Sequence, residues 1–330
     1  MDFAMQENNI TKLPSMTKKI ICYIVLLSLV SACMVTSKRD IWPEARTTHR
    51  IILEENSPLE LLWSQEVFTG HVVTQKKLAA TDGIVFFIGS LSQSDRGGLI
   101  ALDGESGKML WQVEDAHSLD ATPAGVFVEY TSYVHAYNPH TGDELWSKRL
   151  PGARNVAYLY FINDELYINT TGSYVYYRLD AQTGEVLERS LGNSIFTDFD
   201  PWIFSHLPAI IENTIYFWKV GAVSTPASSI LAVSRDSDQV LWKSEDNVIS
   251  NVAATATRVY FVTYDDELQV LDGSTGDPIV ALQIEPSINF FDREIDSVSD
   301  GYQLAVDPDK QLLYLILGDS NQMFAFRIRP

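Results

Sequence analysis

The chain has 330 residues, with 24 Lys and Arg against 43 Asp and Glu, a formal net charge of −19. A surface this acidic repels the phosphates of nucleic acid and of anionic lipid headgroups, which excludes a general nucleic-acid binder. The charge serves solubility first, and beyond that it can steer basic partners.

In chain order, residues 1–15 carry Asp2 and Glu7 and no apolar core, and Met16 reads as an alternative start. Lys18 and Lys19 then precede an apolar run, Ile20–Val30, followed by Ser31, Ala32 and Cys33. A basic lead, a short apolar core and small residues before a cut site are the marks of an export signal. The run is too short to span a bilayer, which takes about 20 residues. Val30-Ser-Ala-Cys33 resembles the lipobox of bacterial lipoproteins. The resemblance implies that Cys33 becomes the first mature residue and carries a thioether-linked diacylglycerol and an N-acyl chain. Chains of that kind anchor stably, since each buried CH₂ contributes about 0.8 kcal/mol. Cys22 leaves with the signal and Cys33 is blocked, so cysteine catalysis and Cys-based zinc sites are excluded. Met34 stands where Asp would be the inner-membrane retention signal of lipoproteins in many two-membrane bacteria. The expected location is therefore the periplasmic side of an outer membrane, or the outer leaflet of a cell membrane. The expected divisions are 1–32 for the extension and signal, 33–58 for the lipidated Cys and tether, and 59–330 for one β domain.

From residue 59 onward one phrase recurs. Ala101-Leu-Asp103-Gly-Glu-Ser-Gly107-Lys-Met-Leu-Trp111 returns as Ala136–Trp146, as Leu179–Leu187, as Ala232–Trp242 and as Val270–Val280. Each copy predicts a strand, a tight turn and a second strand. Gly107, Gly142, Gly184 and Gly276 close the turn with φ > 0, four residues after Asp103, Asn138, Asp180 and Asp272, which bond to turn amides. Trp63, Trp111, Trp146 and Trp242 are plates for packing against a neighbouring unit. Upstream strand signals at Ile84–Ile88, Val126–Val128, Glu165–Ile168, Thr214–Phe217 and Val259–Val262 give about four strands per unit. The first two intervals between closing glycines, 35 and 42 residues, approach the 40 to 50 residues of a propeller blade. We count six blades, or seven if the insert between Gly184 and Trp242 holds another. The last unit lacks its Trp strand, and Leu61–Glu66 is a spare one. The expected fold is an all-β propeller of four-stranded antiparallel blades, its ring closed by an N-terminal strand.

The pattern Ala-x-Asp-x-x-Thr-Gly-x-x-x-Trp resembles the tryptophan-docking repeat of pyrroloquinoline-quinone-like (PQQ-like) β-propellers, over about residues 59–330. That family includes quinoprotein alcohol dehydrogenases and the propeller lipoprotein of the outer-membrane barrel assembly machinery, which binds no quinone. The resemblance implies the fold; the dehydrogenases' vicinal Cys pair is absent and the chain is too short for their eight blades, so no quinone is expected.

A search for chemistry finds little. None of the six histidines forms a metal-ligand pair at helical spacing, and His140 sits at a turn tip. Gly104–Lys108 has the wrong spacing and context for a phosphate loop. Asp265-Asp266-Glu267 reads as a solvated hairpin turn, and Asp198 with Asp200 as a weak cation candidate. No cofactor, no metal and no enzymatic activity are expected. The remaining candidates are aromatic. In an up-and-down blade the Thr-Gly turns share one face, and the long segments 190–206, 221–228 and 282–300 fall on the other. These carry Phe196, Phe199, Trp202, Phe204, Phe290 and Phe291, a candidate partner surface unless they fold back to plug the channel. The expected function is a membrane-anchored, non-catalytic envelope platform that binds another envelope protein. The alternative is an exported enzyme or small-ligand sensor using the central channel.

Overall fold

The computed structural model describes residues 48–67, 78–91, 98–130, 132–151, 156–170, 175–191, 208–219, 229–237, 239–285, 302–317 and 322–330. All of them lie in one compact unit, Thr47–Pro330. Their regular structure is β throughout, in six antiparallel sheets arranged as the blades of a propeller.

Two strands lead the chain, β1 (Arg50–Ile51) and β2 (Leu59–Glu66), but they serve the last two blades. Blade 1 is β3 (Leu78–Thr81), β4 (Ile84–Gly89), β5 (Gly98–Asp103) and β6 (Met109–Glu114). Blade 2 is β7 (Ser118–Thr122), β8 (Gly125–Tyr130), β9 (Tyr133–Tyr137) and β10 (Glu144–Arg149). Blade 3 is β11 (Val156–Ile162), β12 (Glu165–Thr170), β13 (Val175–Asp180) and β14 (Val186–Leu191). Blade 4 is β15 (Ala209–Ile211), β16 (Thr214–Lys219), β17 (Ser229–Ser234) and β18 (Val240–Ser244). Blade 5 is β19 (Ala253–Ala254), β20 (Arg258–Val262), β21 (Glu267–Asp272) and β22 (Pro278–Glu285). Blade 6 is β23 (Tyr302–Asp307), β24 (Leu312–Leu317), β25 (Gln322–Ile328) and β2. Among the described residues, the strands of the insert between Gly184 and Trp242 belong to blade 4, and the blades number six, not seven.

The ring closes as the sequence predicts. β2 pairs with β25 from Leu59↔Ile328 to Glu66↔Gln322, and the Arg329 amide donates to the Pro58 carbonyl at 2.8 Å. Blade 6 is thus shared between the two chain ends, and the unpaired edge of an open array is removed. The stretch 48–58, expected in the tether, packs on the rim instead. β1 adds a fifth strand to β22, Arg50↔Glu285 and Ile51↔Ile284. The Gln322 amide clasps the backbone of His49, accepting from its N–H at 2.8 Å and donating to its carbonyl at 3.1 Å.

The recurring turn forms because each polar group in it finds a partner. In blade 1 the Asp103 carboxylate accepts from the Ser106 amide at 2.8 Å and hydroxyl at 2.6 Å, while the Gly107 amide donates to the Asp103 carbonyl at 2.8 Å. Gly107 has φ +69°, a conformation only glycine adopts without strain. The backbone-amide bonds recur at Asn138, Asp180 and Asp272, and the hydroxyl bond at Asp180 and Asp272, while the Thr141 hydroxyl of blade 2 donates to Asp143 instead. They hold the carboxyls of Asp180 and Asp272 below the usual carboxylate range, the Thr183 and Ser274 hydroxyls contributing most.

Just after the turn the outer strand of every blade carries a β-bulge. The extra residue is Leu110, Leu145, Leu187, Leu241, Ile279 or, in the closing strand, Leu62. A bulge shifts the side-chain alternation and re-aims the residue that follows it. In four blades that residue is Trp, and the residue across the ladder is always Ala: Ala101↔Trp111, Ala136↔Trp146, Ala232↔Trp242 and Ala325↔Trp63. The small partner leaves room for the indole to lie flat toward the next blade.

There the indole docks. Its Nε1–H donates to a turn carbonyl of the neighbouring blade: Trp63 to Gly104 at 2.9 Å, Trp111 to Pro139 at 2.8 Å, Trp146 to Ala181 at 2.9 Å and Trp242 to Gly273 at 2.9 Å. Beneath each indole lies an aromatic of the second strand, Tyr314, Phe86, Phe127 and Tyr216 in that order. Above it the closing glycine of the next turn comes so near that a Cβ on Gly276 would stand 2.7 Å from the Trp242 ring. The Asp, Gly and Trp of the repeat are therefore one device that bolts each blade to its neighbour.

Candidate functional site

Two junctions lack the indole. Val280 takes its position in blade 5, facing blade 6. Blade 6 has no hairpin between its third and fourth strands, because β25 and β2 come from opposite chain ends, so there is no turn to receive a Trp. Apolar residues fill that junction, including Tyr260, Val270, Leu313 and Phe326.

The other is the junction of blades 3 and 4. Among the described residues, apolar clusters span blades 1 and 2, 2 and 3, 4 and 5, 5 and 6, and 6 and 1; none spans 3 and 4. Among the described residues, the inner strands lie against one another at the other junctions, β3 on β7, β7 on β11, β15 on β19, β19 on β23 and β23 on β3, with no comparable contact between β11 and β15. In the Ala and Trp positions stand Arg178 and Glu188. The Arg178 guanidinium donates through Nη1 to both carboxylate oxygens of Glu165, at 2.8 and 3.0 Å, and through Nε to Glu188 Oε2 at 3.3 Å. The Tyr167 hydroxyl donates to Glu165 Oε2 at 2.8 Å. Hydrogen bonds from Arg178 and then Tyr167 hold the Glu165 carboxyl below the usual carboxylate range.

Tyr176 lies on the same wall, its ring 6.2 Å from that of Tyr167. Only 4% of it is exposed, and its buried hydroxyl has no hydrogen-bond partner. Burial pushes this phenol well above the usual tyrosine range. The facing wall of blade 4 is mainly apolar on β16 and β17, and Lys243, across the ladder from Leu231, adds a cation to the same face. Tyr216, Trp218, Ile230 and Ala232 pack toward blade 5, so alternation turns Ile215, Phe217, Leu231 and Val233 toward blade 3. One junction in the ring therefore sets a charged and phenolic wall against a mainly apolar one edged by Lys243.

Blades 3 and 4 expose Asp164, Glu185, Glu188, Glu212 and Asp236 at or near the Thr-Gly end, beside the cations Arg189, Arg235 and Lys243 and the partly exposed Arg178. Chemically this is a place for hydrogen bonding and charge recognition. Among the described residues no group of three or more His, Cys, Asp or Glu is placed to hold a metal ion.

The residues singled out in the sequence fall elsewhere. Cys33, Asp198, Asp200, Phe196, Phe199, Trp202, Phe204, Phe290 and Phe291 lie outside the described residues. His140 is exposed at the blade 2 turn, 3.5 Å from Asp82 of blade 1. Of the run Asp265-Asp266-Glu267, the first two lie in the turn between β20 and β21 and Glu267 opens β21, but the run is not solvated throughout. Asp266 is buried, with φ +58°, and its carboxylate accepts the Tyr302 hydroxyl of blade 6 at 2.5 Å. The phenol supplies a donor in place of water, which makes a buried carboxylate tolerable.

The Arg178 site was missed, although the repeat marks it by its gaps. The third copy has Glu188 where others have Trp, and the fourth has Ser234 and Asp238 where others have Asp or Asn and Gly. Lost on both sides of one junction, the dock leaves that junction to other residues.

No known family model matches the chain, and no curated protein sequence matches it. Solved structures do resemble it. A chain of the mitotic checkpoint complex is 10% identical, over 87% of this chain and 100% of that one, with a TM-score of 0.59. The WD40 repeats of RRP9 are 12% identical, over 85% and 100%, with a TM-score of 0.58. BamB from Moraxella catarrhalis is 12% identical, over 86% and 97%, with a TM-score of 0.44. At such identities the first two likenesses are of fold alone, and that fold is the β-propeller.

Proposed function

We propose that this chain is an exported, lipid-anchored propeller that serves as a non-catalytic protein-binding platform of the cell envelope. The observation that carries the reading is the use of the repeat. Its Asp, Gly and Trp side chains hold turns and bolt blades together, so the ring is a rigid frame and recognition is left to what differs between blades. A rigid scaffold with variable features at its rim and connections is how binding propellers work. The export signal and the lipobox-like Val30–Cys33 supply the address and the anchor, and the acidic surface favours basic partners.

The test has two parts. Metabolic labelling with a radioactive fatty acid should mark the wild type and not Cys33→Ser, which should leave the membrane fraction. Affinity purification of the lipidated, tagged chain from detergent-solubilised membranes should retain an envelope protein in stoichiometric amount. An unlabelled wild type overturns the anchor, and purification of the chain alone overturns the platform.

A further inference from the structure

We propose that residues 49–53 form a latch on the closure of the ring: they straddle blades 5 and 6, and they must lift before the closing strand β2 can peel from β25. The latch belongs to the ring itself and does not depend on the platform reading. Where the preceding segment carries an anchor, as proposed above, a pull on that anchor reaches the latch before it reaches β2.

The junction that the strap crosses has no indole, since Val280 stands in the Trp position of blade 5. Deeper in the junction the blades are tied by Asp266 to Tyr302, and by Asn251, whose side-chain amide brackets the backbone of Leu304. At the rim the strap takes over. On blade 5, Arg50 and Ile51 pair with Glu285 and Ile284, and the Ile52 amide donates to the Gln283 carbonyl at 2.9 Å. On blade 6, the Gln322 side chain holds the backbone of His49 through both its N–H and its carbonyl. Gln322 is also the residue that faces Glu66, at the far end of the ladder between β2 and β25. The near end of β2 is tied to the strap as well. The Ser57 amide donates to the Glu54 carbonyl at 3.0 Å, and the buried Ser57 accepts the Leu59 amide on its hydroxyl at 3.2 Å. A tight turn thus joins the strap to the first residue of β2. Ile51 and Leu59 sit in one apolar cluster with Ile284 of blade 5 and Phe324, Phe326 and Ile328 of blade 6. Lifting Ile51 opens that cluster beside Leu59↔Ile328, the first pair of the closing ladder. The fastening itself is short. It is two residues of ladder on blade 5 and a bracket on blade 6, with an Arg50–Glu285 ion pair too exposed to add much. A short fastening that shares its core with the closing strand opens ahead of the sheet and governs it.

Amide hydrogen exchange of the full-length protein, followed by mass spectrometry, tests the latch. Ile51→Asp and the milder Gln322→Ala unfasten it. Ile279→Ala, at an exposed site of β22 away from the strap, is the control. The paired amides of β2 and β25 should exchange about tenfold faster in both latch variants. In Gln322→Ala the gain should reach Leu59–Leu61, far along the ladder from the substitution. Amides of β8 and β12, in blades 2 and 3, should keep their protection, and the control should match the wild type. Unchanged exchange of β2 in Ile51→Asp would show that the strap only covers blade 5 and overturns the proposal. So does a gain in Gln322→Ala confined to the Glu66 end, or a gain shared by all six blades, which is general destabilisation. Pulled from its N-terminus, the wild type should give a weak first rupture releasing at most about 35 Å, the extended length of residues 49–58, before the ring opens. Ring opening in a single rupture overturns the latch equally. Should Ile51→Asp fail to fold, Gln322→Ala and the force record decide.

Discussion

The hydroxyl of Tyr314 stands in the space that a side chain on Gly104 would need: a Cβ built there would lie 2.0 Å from the phenol oxygen. Gly104 belongs to the turn of blade 1 that receives Trp63, and Tyr314 lies beneath that indole in blade 6. Glycine is required here for approach, not for its backbone angle. Gly104→Ala should destabilise by about 1–3 kcal/mol, the range for an overpacked core. Tyr314→Phe should recover part of that loss, leaving the share due to the Gly83 carbonyl at 2.6 Å. A double-mutant cycle by chemical denaturation checks this, and strictly additive costs would show that the two residues do not compete for one space.

Tyr216 is the counterpart of Tyr314 in blade 4, beneath Trp242, yet the two phenols differ. Tyr216 donates to the Gly273 carbonyl at 3.0 Å, while the Tyr314 hydroxyl is buried without a partner. Removing a hydrogen-bonded hydroxyl costs about 0.5–1.5 kcal/mol, whereas removing an unsatisfied one is neutral or stabilising. Tyr216→Phe should therefore lower the denaturation midpoint and Tyr314→Phe should hold or raise it. The same sign for both would mean that Tyr314 has a donor or acceptor partner in solution.

The fold was legible in the sequence because its parts are local and repeated. Asp103 and Gly107 fix one turn by themselves, and the Trp four residues on announces packing against the next blade, while the bulge that aims it appears only in the pairing. The closing strand could be read because Trp63 was one Trp strand too many and blade 6 one too few. The junction of blades 3 and 4 was not read, since Arg178, Glu165 and Tyr176 belong to no motif and meet only through strand pairing. The burial of Asp266 was hidden for a related reason. Its partner Tyr302 is 36 residues away in another blade, and a run of carboxylates at a turn ordinarily means solvent.

The vacant dock can be restored in part. Glu188→Trp alone should destabilise the ring, because Arg178 occupies the place that Ala fills opposite each native indole. Glu188→Trp with Arg178→Ala should be better tolerated than either the single Trp variant or Arg178→Ala, which leaves Glu165 without its guanidinium. Thermal denaturation of the four proteins checks this order. If Glu188→Trp alone raises the midpoint, the Ala–Trp pairing is not a steric requirement.

Two groups of carboxylates should give the stability opposite dependences on pH. Glu165, Asp180 and Asp272 are held low by hydrogen bonds, chiefly from Arg178, Thr183 and Ser274. A carboxyl lower in the folded than in the unfolded chain contributes stability above its unfolded value and loses it as pH falls through the folded one. Glu129 is buried, and desolvation raises its carboxyl against weaker help from the Ser132 amide and His117. Its contribution is favourable below the unfolded value, about 4.3, and is lost as pH rises through the raised folded value. Glu129→Gln should therefore stabilise at neutral pH and lose that advantage near pH ~4, while Glu165→Gln should destabilise at neutral pH and flatten the acid limb. Denaturation midpoints across the pH range test both. An effect of Glu129→Gln that is the same at both ends would mean the carboxyl is not titrating between them.

The N-terminal strand bears on two joints at once, so truncation should act in steps. Residues 48–330 keep β1, the His49–Gln322 clasp, β2 and the Trp63 dock, and this fragment should melt as the longer chain does. A fragment starting at residue 58 loses β1 on the edge of blade 5 and the clasp to Gln322 of blade 6, and should melt a few degrees lower. A fragment starting at residue 68 loses β2, leaving β25 an unpaired edge and the turn of blade 1 without its indole. Trp63→Ala in the intact chain isolates the dock and should cost about 3–5 kcal/mol, the range for truncating a large core aromatic. Loss of the whole strand should cost more, and the exposed edge should drive association visible by light scattering. If the fragment from residue 68 stayed monomeric and melted with Trp63→Ala, closure would depend on the indole rather than on the ladder between β2 and β25.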